Sequence, residues 1–380
     1  MMTTFITKTT SIGLALGVAA IALAGPVQAD MNAPLAALGP PPIPSDNKQT
    51  PAKIELGKLL FFDTRLSGDA SVACSTCHEP KQGWGFSGDI SRGYPGTIHW
   101  RNSQTVVNSA YYGKLFWAGS AKSLENQAPS AAKGGVAGNL ETDIAEARLA
   151  FIPEYRKRFK EVFGDEYPKL SNVWRAMASF ERTLVQRDTP FDKYMLGDKS
   201  ALSEEAIRGK ALFEGKANCI ECHNGALFSD QMYYNLGVPR AETWLDNGLA
   251  QITFRFENYA KGVTQKMYRE IKDDAGFYFR TKEVADKGKF RTPSLRYTLY
   301  TAPYMHNGTF FDLQEVVEFY NEGGGTNEFS ATKTGLIKPL NLSEDEITDL
   351  VAFLESLSGD EIKVKTPKLP PYAPLPNPVK

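Results

Sequence analysis

Cysteine and histidine are scarce in this chain of 380 residues, which contains four of each. Neither sign of charge predominates, because 43 lysines and arginines are balanced by 44 aspartates and glutamates. The resulting net charge of -1 excludes a strongly basic nucleic-acid-binding protein. Patterns typical of β-strands are sparse. With 42% hydrophobic residues, the composition is that of an ordinary globular protein, and the length predicts two or three domains of about 150 residues.

Long apolar runs are also missing, since a membrane span needs about 20 apolar residues. The run from Ile12 to Ala24 has 13. Lys8 precedes it, and Val27-Gln28-Ala29 places small residues before a cleavage position, as is typical of a secretion signal over residues 1–29. An uncleaved anchor has a similar composition and stays an alternative. We expect an exported, periplasmic protein without a membrane span once the signal is removed.

Proline marks two segments that cannot be helical. Residues 30–50 contain the run Gly39 to Pro44 and are predicted to be a linker, because proline fixes φ and lacks an amide hydrogen. Residues 366–380 contain six prolines. We expect this segment to be an extended strap or a loose tail.

The remaining sequence contains a repeat. Residues 55–63 and 207–215 share the pattern Gly-Lys-x-Leu-Phe at helical spacing. Each copy is followed by a second amphipathic helix, over 173–185 and from the cap Ser343 to Leu357. We therefore predict a mainly α fold with two similar domains, 51–198 and 199–365, and a helix cap at Ser203.

All four cysteines belong to two Cys-x-x-Cys-His motifs. The first consists of Cys74, Cys77 and His78, and the second of Cys219, Cys222 and His223. Such a motif can bond both cysteines to the vinyl groups of haem while the histidine binds the iron. A zinc site, a redox-active dithiol and structural disulfides are weaker alternatives, since none requires a histidine after both pairs. The motifs predict two covalent c-type haems, with His78 and His223 as axial ligands.

Several separated motifs resemble the bacterial di-haem cytochrome c peroxidase and MauG family over about Pro51 to Gly359. They are Phe116-Trp117-x-Gly119, Arg101-Asn102, the stretch from Phe290 to Arg296, the stretch from Thr301 to Gly308, and the stretch from Glu315 to Tyr320. The resemblance implies two class I cytochrome c-like domains. It also implies that peroxide reacts at the N-terminal haem, while the C-terminal haem is a six-coordinate partner.

The resemblance implies further roles in the second half of the site. Tyr320 matches the position of the second haem's distal ligand, which is a methionine in ordinary peroxidases and a tyrosine in MauG. A phenolate stabilises Fe(III) and higher oxidation states, whereas a thioether favours Fe(II). Met305 is the spare candidate for this ligand. Trp117 matches a tryptophan that relays charge between the haems.

The resemblance also implies a calcium ion between the domains. Asn102, with the carbonyl groups of Thr301 and Pro303, matches the family's calcium ligands. Hard oxygen donors suit Ca²⁺. Arg291 and Arg296 are candidate partners of haem propionates, although arginines in surface salt bridges are common.

The sequence departs from the family pattern around the first haem. Tyr94 occupies the position of the histidine that closes this haem in ordinary peroxidases, and Ala137 that of the distal glutamate. Another group is then expected to move protons during peroxide cleavage. His99, Gln104 and Glu141 are the candidates.

Two departures concern protein partners. Ala217 replaces a surface tryptophan of MauG, which argues against the MauG substrate itself. Residues 241–287, an aromatic-rich segment, are expected to form a lid or helix pair over the second haem, with a docking surface as the alternative.

Three functions follow, in order of preference. The first is a MauG-like enzyme that reacts with hydrogen peroxide and oxidises a periplasmic partner protein or donor. The second is an ordinary peroxidase that reduces peroxide with electrons from a small cytochrome c or a cupredoxin. The third is a di-haem electron carrier without chemistry of its own.

Overall fold

The computed structural model describes residues 33–374, so the expected secretion signal at 1–29 lies outside the described residues. The fold is mainly helical, as predicted. The α-helices are α1 (Pro51–Phe61), α2 (Cys74–Cys77), α3 (Leu124–Lys133), α4 (Thr142–Ala150), α5 (Pro153–Phe163), α6 (Leu170–Glu181), α7 (Pro190–Met195), α8 (Glu204–Glu214), α9 (Gly248–Ala260), α10 (Gln265–Glu270), α11 (Tyr278–Thr281), α12 (Leu313–Asn321) and α13 (Glu344–Ser356). Short 3₁₀ turns link several of them.

Extended structure is confined, within residues 33–374, to one small antiparallel pair. Its strands are β1 (Tyr233–Tyr234) and β2 (Phe290–Arg291), with Tyr233 opposite Arg291. In the same part of the chain, no helix is long and apolar enough to cross a membrane.

The two halves of the repeat each form a close helix pair. In the first, α1 begins after Thr50, whose side chain accepts a hydrogen bond from the Lys53 amide, and packs on α6. Gly57 lies at the crossing, where an added methyl group would come within 1.9 Å of the Ala176 carbonyl oxygen. Only glycine allows the backbones to approach so closely.

The second pair repeats this arrangement with α8 and α13. Ser203 caps α8 by accepting a hydrogen bond from the Ala206 amide at 3.1 Å, as predicted. Ser343 and Glu346 form the expected capping box at the start of α13. A methyl group added at Gly209 would lie 1.9 Å from the Asp349 carbonyl oxygen, so the close crossing recurs at the matching glycine.

Each helix pair contributes to its own apolar core. The first core is built mainly from residues between Leu56 and Leu184, and the second mainly from residues between Phe213 and Leu357. Side chains also cross between the halves. Phe191 of α7 packs in the second core, and Tyr297 packs in the first.

The proline-rich segments hold the halves together. The leading segment bonds to the second half, where the Arg296 guanidinium donates to the Ala36 carbonyl at 3.1 Å, and to the first, where Asn47 donates to Glu125. Residues 366–374 of the trailing segment lie across the first half as an extended strap. There the Pro370 carbonyl accepts a hydrogen bond from Arg65 at 2.9 Å.

Candidate functional site

One cavity of about 920 Å³ connects the two halves of the molecule. Its size is at the upper end of ligand pockets, which range over about 300–1,000 Å³. All four cysteines and all four histidines of the chain line it: Cys74, Cys77, His78, His99, Cys219, Cys222, His223 and His306. The scarce residues of the sequence therefore meet in one place.

The first motif lies on a single helical turn. Cys74 and Cys77 are the ends of α2, and His78 follows as its C-cap. A turn of this length places both thiols on the side from which the histidine ring also enters the cavity. The buried Nδ1 of His78 has no hydrogen-bond partner in the described residues.

In the second motif, the histidine ring has a hydrogen-bond partner. Cys219 begins a short 3₁₀ turn, and the His223 ring is buried, with its Nδ1 at 3.0 Å from the Phe228 carbonyl oxygen. A histidine whose Nδ1 donates to a carbonyl presents Nε2 as a metal ligand. Tyr320, from α12, lines the same region of the cavity, and burial together with Cys219 and Cys222 raises the pKa of its phenol. Met305 also lines the cavity.

The chemistry of the thiols disfavours the alternatives to haem attachment. All four are unpaired, so neither motif forms a disulfide. Burial raises the pKa of Cys77 to about 11 and that of Cys219 to about 12, whereas a redox-active dithiol needs a lowered thiol pKa. No cluster of three or more metal-binding side chains occurs within residues 33–374. Unpaired thiols beside a histidine in a large cavity fit a covalently attached haem.

His99 and Gln104, two of the three candidates for proton transfer, reach the cavity. His99 Nδ1 accepts a hydrogen bond from the Arg101 amide at 3.0 Å, so its Nε2 carries the proton. Burial, with the charges of Arg101 and Lys261, lowers the pKa of His99 to about 3, so the ring is neutral at physiological pH. Glu141 is exposed at the start of α4 and does not line the cavity, so it is the wrong candidate.

Of the two residues that depart from the family pattern around the first haem, only Ala137 lies in the cavity wall. The Tyr94 ring lies against Gly68 and is not part of the cavity wall, whereas Ala137 is. The side chain at Ala137 is a methyl group, so this stretch of wall offers no acid or base of its own.

Trp117 lies in the wall that both halves share. Its indole N–H donates to the Asn102 carbonyl at 2.8 Å, and its ring meets His306 edge-on at 6.4 Å between centroids. His306 stacks on Phe290 at 3.8 Å. Asn102, Thr301 and Pro303 line the cavity beside them.

The two candidate arginines differ. The Arg291 guanidinium lies over the Tyr112 ring at 4.0 Å and donates to Gln104 Oε1 at 3.2 Å, within the cavity wall. Arg296 instead forms a two-pronged ion pair with Asp192, at 2.8 and 2.9 Å. Both partners of that pair are almost completely buried. The Arg296 guanidinium, which was expected to bind a haem propionate, therefore binds a carboxylate of the protein itself.

The segment 241–287 forms helices, including α9 and α10, and it reaches the first half of the molecule. Phe254 of α9 meets Trp100 at 5.7 Å, and Asp274 forms a two-pronged ion pair with Arg101 at 2.5 and 2.9 Å. The segment thus covers the wall near His99. Its apolar residues pack on Trp100 and Val136 of the first half and on Phe329 of the second.

Sequence reasoning missed several groups in the cavity wall. They are Gln127 on α3, Glu181 on α6, and Glu257 and Lys261 on or beside α9. Glu257 and Lys261 are paired at 3.3 Å. Helical spacing could have placed Glu181 on the face of Trp174 and Met177, but the α9 residues come from a distant insertion that no local pattern connects to the site.

A deep cavity lined by two Cys-x-x-Cys-His motifs in a helical fold is typical of a protein that binds two c-type haems. Comparison with known proteins identifies the family. A sequence profile described as di-haem cytochrome c peroxidase matches residues 51–200. The chain belongs to the di-haem cytochrome c peroxidase and MauG family, as the sequence predicted.

Individual relatives support this assignment. The chain is 54% identical over 374 residues to cytochrome-c peroxidase IdrP1 of Pseudomonas sp. (strain SCT), covering 97% of this chain and 98% of that protein. It is 36% identical to the methylamine utilization protein MauG of Methylorubrum extorquens, covering 87% and 84%. A crystal structure of a MauG-like protein associated with microbial copper homeostasis superposes with a TM-score of 0.72 at 29% identity, covering 85% of this chain and 93% of that one.

Proposed function

We propose that this chain is an exported di-haem peroxidase, which reduces hydrogen peroxide at the first motif with electrons that pass through the second. The observation that carries the proposal is the single cavity into which both Cys-x-x-Cys-His motifs open. The relatives named cytochrome-c peroxidase support the same activity. Two-electron reduction converts H₂O₂, two electrons and two protons into two molecules of water.

Each motif would hold one haem as part of its own domain, over residues 51–198 and 199–365. Cys74 and Cys77 would attach the first, with His78 as its axial ligand. The second would be attached at Cys219 and Cys222, between His223 and Tyr320. When bound, the two haems would supply the redox chemistry, and the one held at the first motif would react with peroxide.

The polypeptide itself must move protons at the first site. His99 is held as a neutral donor by the Arg101 amide, and Arg291 fixes the side chain of Gln104. Glu257, paired with Lys261, adds a carboxylate to the wall close to the Ala137 loop, since a methyl group at Gly135 would lie 3.5 Å from Glu257 Oε1. General acid–base help of this kind typically contributes about 10²–10⁴-fold to the rate.

A calcium ion and an aromatic relay belong to the same proposal. The Asn102 amide N–H groups donate to the carbonyls of Phe86 and Gly88, which leaves Oδ1 free of donors in the described residues. The carbonyls of Thr301 and Pro303 likewise accept no hydrogen bond there. Three unused neutral oxygens fit Ca²⁺. Trp117, in the cavity wall beside Asn102, would carry charge between the haems.

A second candidate is a MauG-like enzyme that oxidises an aromatic side chain of a periplasmic protein. Tyr320 favours it, because a phenolate ligand stabilises higher oxidation states of the second iron. The 36% identity to MauG is consistent with it as well. In the first candidate, the partner is a small cytochrome c or a cupredoxin that donates electrons.

A turnover assay with the purified mature protein tests the proposal and separates the two candidates. Rapid peroxide-dependent oxidation of reduced cytochrome c or cupredoxin supports the peroxidase. Slow turnover of these donors, together with peroxide-dependent modification of a partner protein, supports the MauG-like enzyme. A protein with two haems whose spectra ignore peroxide would refute both and indicate an electron carrier.

A further inference from the structure

Glu181 is a buried carboxyl group that the proposed chemistry does not use. It lies in the last turn of α6, is only 4% exposed and lines the cavity. Met177 and Trp174, one and two helical turns earlier, lie on the same face. Within residues 33–374, no group donates a hydrogen bond to its carboxyl oxygens.

The surroundings place Glu181 beside the first motif. Burial, followed by the negative charge of Glu181 itself, raises the pKa of Cys74, so the carboxyl group and this thiol are neighbours. The charged groups that act on Glu181 are Arg182 on the same helix and Glu125 on α3. These two form a two-pronged ion pair at 2.7 and 3.0 Å. The nearest cation is thus already neutralised by another acid.

An ionised carboxylate without a partner is costly in an apolar wall, so such a group holds its proton until a positive charge compensates it. Burial raises the pKa of Glu181 to about 8. A haem attached at Cys74 would supply the missing charge in one oxidation state only. Its oxidation from Fe(II) to Fe(III) would add one positive charge to the site that Glu181 lines, and its reduction would remove that charge.

We propose that Glu181 is the redox-linked proton site of the first haem. Reduction then follows Fe(III) + Glu181-COO⁻ + e⁻ + H⁺ → Fe(II) + Glu181-COOH, and oxidation releases the same proton. By linkage, loss of the proton stabilises Fe(III) and lowers the reduction potential. Since peroxide reduction consumes two protons with two electrons, Glu181 would deliver a proton to the first site together with an electron. This inference rests on the proposed function, because it requires a haem at the first motif.

Redox titration of the mature holoprotein over a range of pH tests the inference. In the wild type, the potential of one haem should fall as pH rises, towards the limit of about 59 mV per tenfold change in proton concentration for one electron. Glu181→Gln should abolish the slope of that haem alone. Glu181→Asp should keep a slope, and Glu161→Gln, which removes an exposed acid on α5, should match the wild type.

Infrared difference spectra of the wild type give an independent readout if Glu181→Gln does not mature. Reduction should produce the C=O band of a protonated carboxylic acid, shifted in D₂O. A first haem whose potential is independent of pH, a slope that survives in Glu181→Gln, or the absence of the band would overturn the inference. A mature chain that carries no haem at Cys74 and Cys77 would overturn the proposed function instead.

Discussion

Gly57 of α1 faces the carbonyl group of Ala176 in α6 so closely that any side chain at this position would collide with backbone. We expect Gly57→Ala to separate the helices and to lower the free energy of unfolding by about 3 kcal/mol, as overpacked sites do. Gly209→Ala should have a similar effect in the second half. Urea unfolding followed by circular dichroism measures both.

A matched control is Gly248→Ala at the first position of α9, where an added methyl group meets nothing within 4 Å. It should be neutral or slightly stabilising. Equal stability of all three variants would show that the helices do not cross as closely as described.

The ion pair between Arg296 and Asp192 is the most buried one described, with side-chain exposures of 0% and 1%. Arg296→Met leaves Asp192 as an uncompensated buried charge and should cost about 3–5 kcal/mol. In a double-mutant cycle with Asp192→Asn, the two effects should not add. Lys210→Met, which removes an exposed pair with Glu214, should change stability by less than about 1 kcal/mol. Additive effects at Arg296 and Asp192 would contradict a shared structural role.

The pair of Arg101 with Asp274 predicts an acid-sensitive contribution to stability. Burial alone would raise the pKa of Asp274, but the charge and hydrogen bonds of Arg101 outweigh burial and lower it. A depressed pKa in the folded state stabilises the protein above the unfolded-state value of about 3.9, and this contribution disappears as pH falls through the folded-state value.

Asp274→Asn should therefore lower the free energy of unfolding by about 3 kcal/mol at neutral pH, because it leaves Arg101 without its charged partner. Its free energy of unfolding should then decline less steeply than that of the wild type as the pH falls. Denaturation from about pH 7 to about pH 3 measures this. Asp246→Asn, an exposed position on the same segment, is the control. Parallel pH profiles for the wild type and Asp274→Asn would exclude the pair as the source.

The two motifs should act independently in attaching haem. We expect the double variant Cys74→Ser/Cys77→Ser to retain one covalently bound haem, and the corresponding double variant of the second pair to retain the other, because each thioether needs its own thiol. The mass of the mature chain and its pyridine haemochrome spectrum count the attached groups. Two haems in either double variant would refute the assignment of that motif.

Tyr320→Met should raise the reduction potential of the second haem, since a thioether favours Fe(II) and a phenolate favours Fe(III). A rise on the order of hundreds of millivolts lies within the span of about 0.8 V that axial ligands cover. Met305→Leu should leave this potential unchanged. If Met305→Leu changes the iron spectrum and Tyr320→Met does not, the methionine is the ligand.

Local features of the fold followed from the sequence. The helix that Ser343 caps, the helix after Ser203 and the repeated Gly-Lys-x-Leu-Phe pattern all depend on residues within a few positions of one another. Their hydrogen bonds and apolar spacing are fixed along the chain, so they could be predicted before any contact between distant segments was known. The same holds for the two cysteine motifs, whose chemistry resides in five consecutive residues.

Distant contacts were decided only by the tertiary structure. The partner of Arg296 is Asp192, Phe254 packs against Trp100 of the first half, and Glu181 is left unpaired beside Cys74. Which acid binds which arginine, and which carboxyl group loses its water, depends on how helix faces meet across the core. The periodicity of the sequence cannot predict these pairs, because burial and ion pairing depend on which distant segments come together in the folded cavity wall.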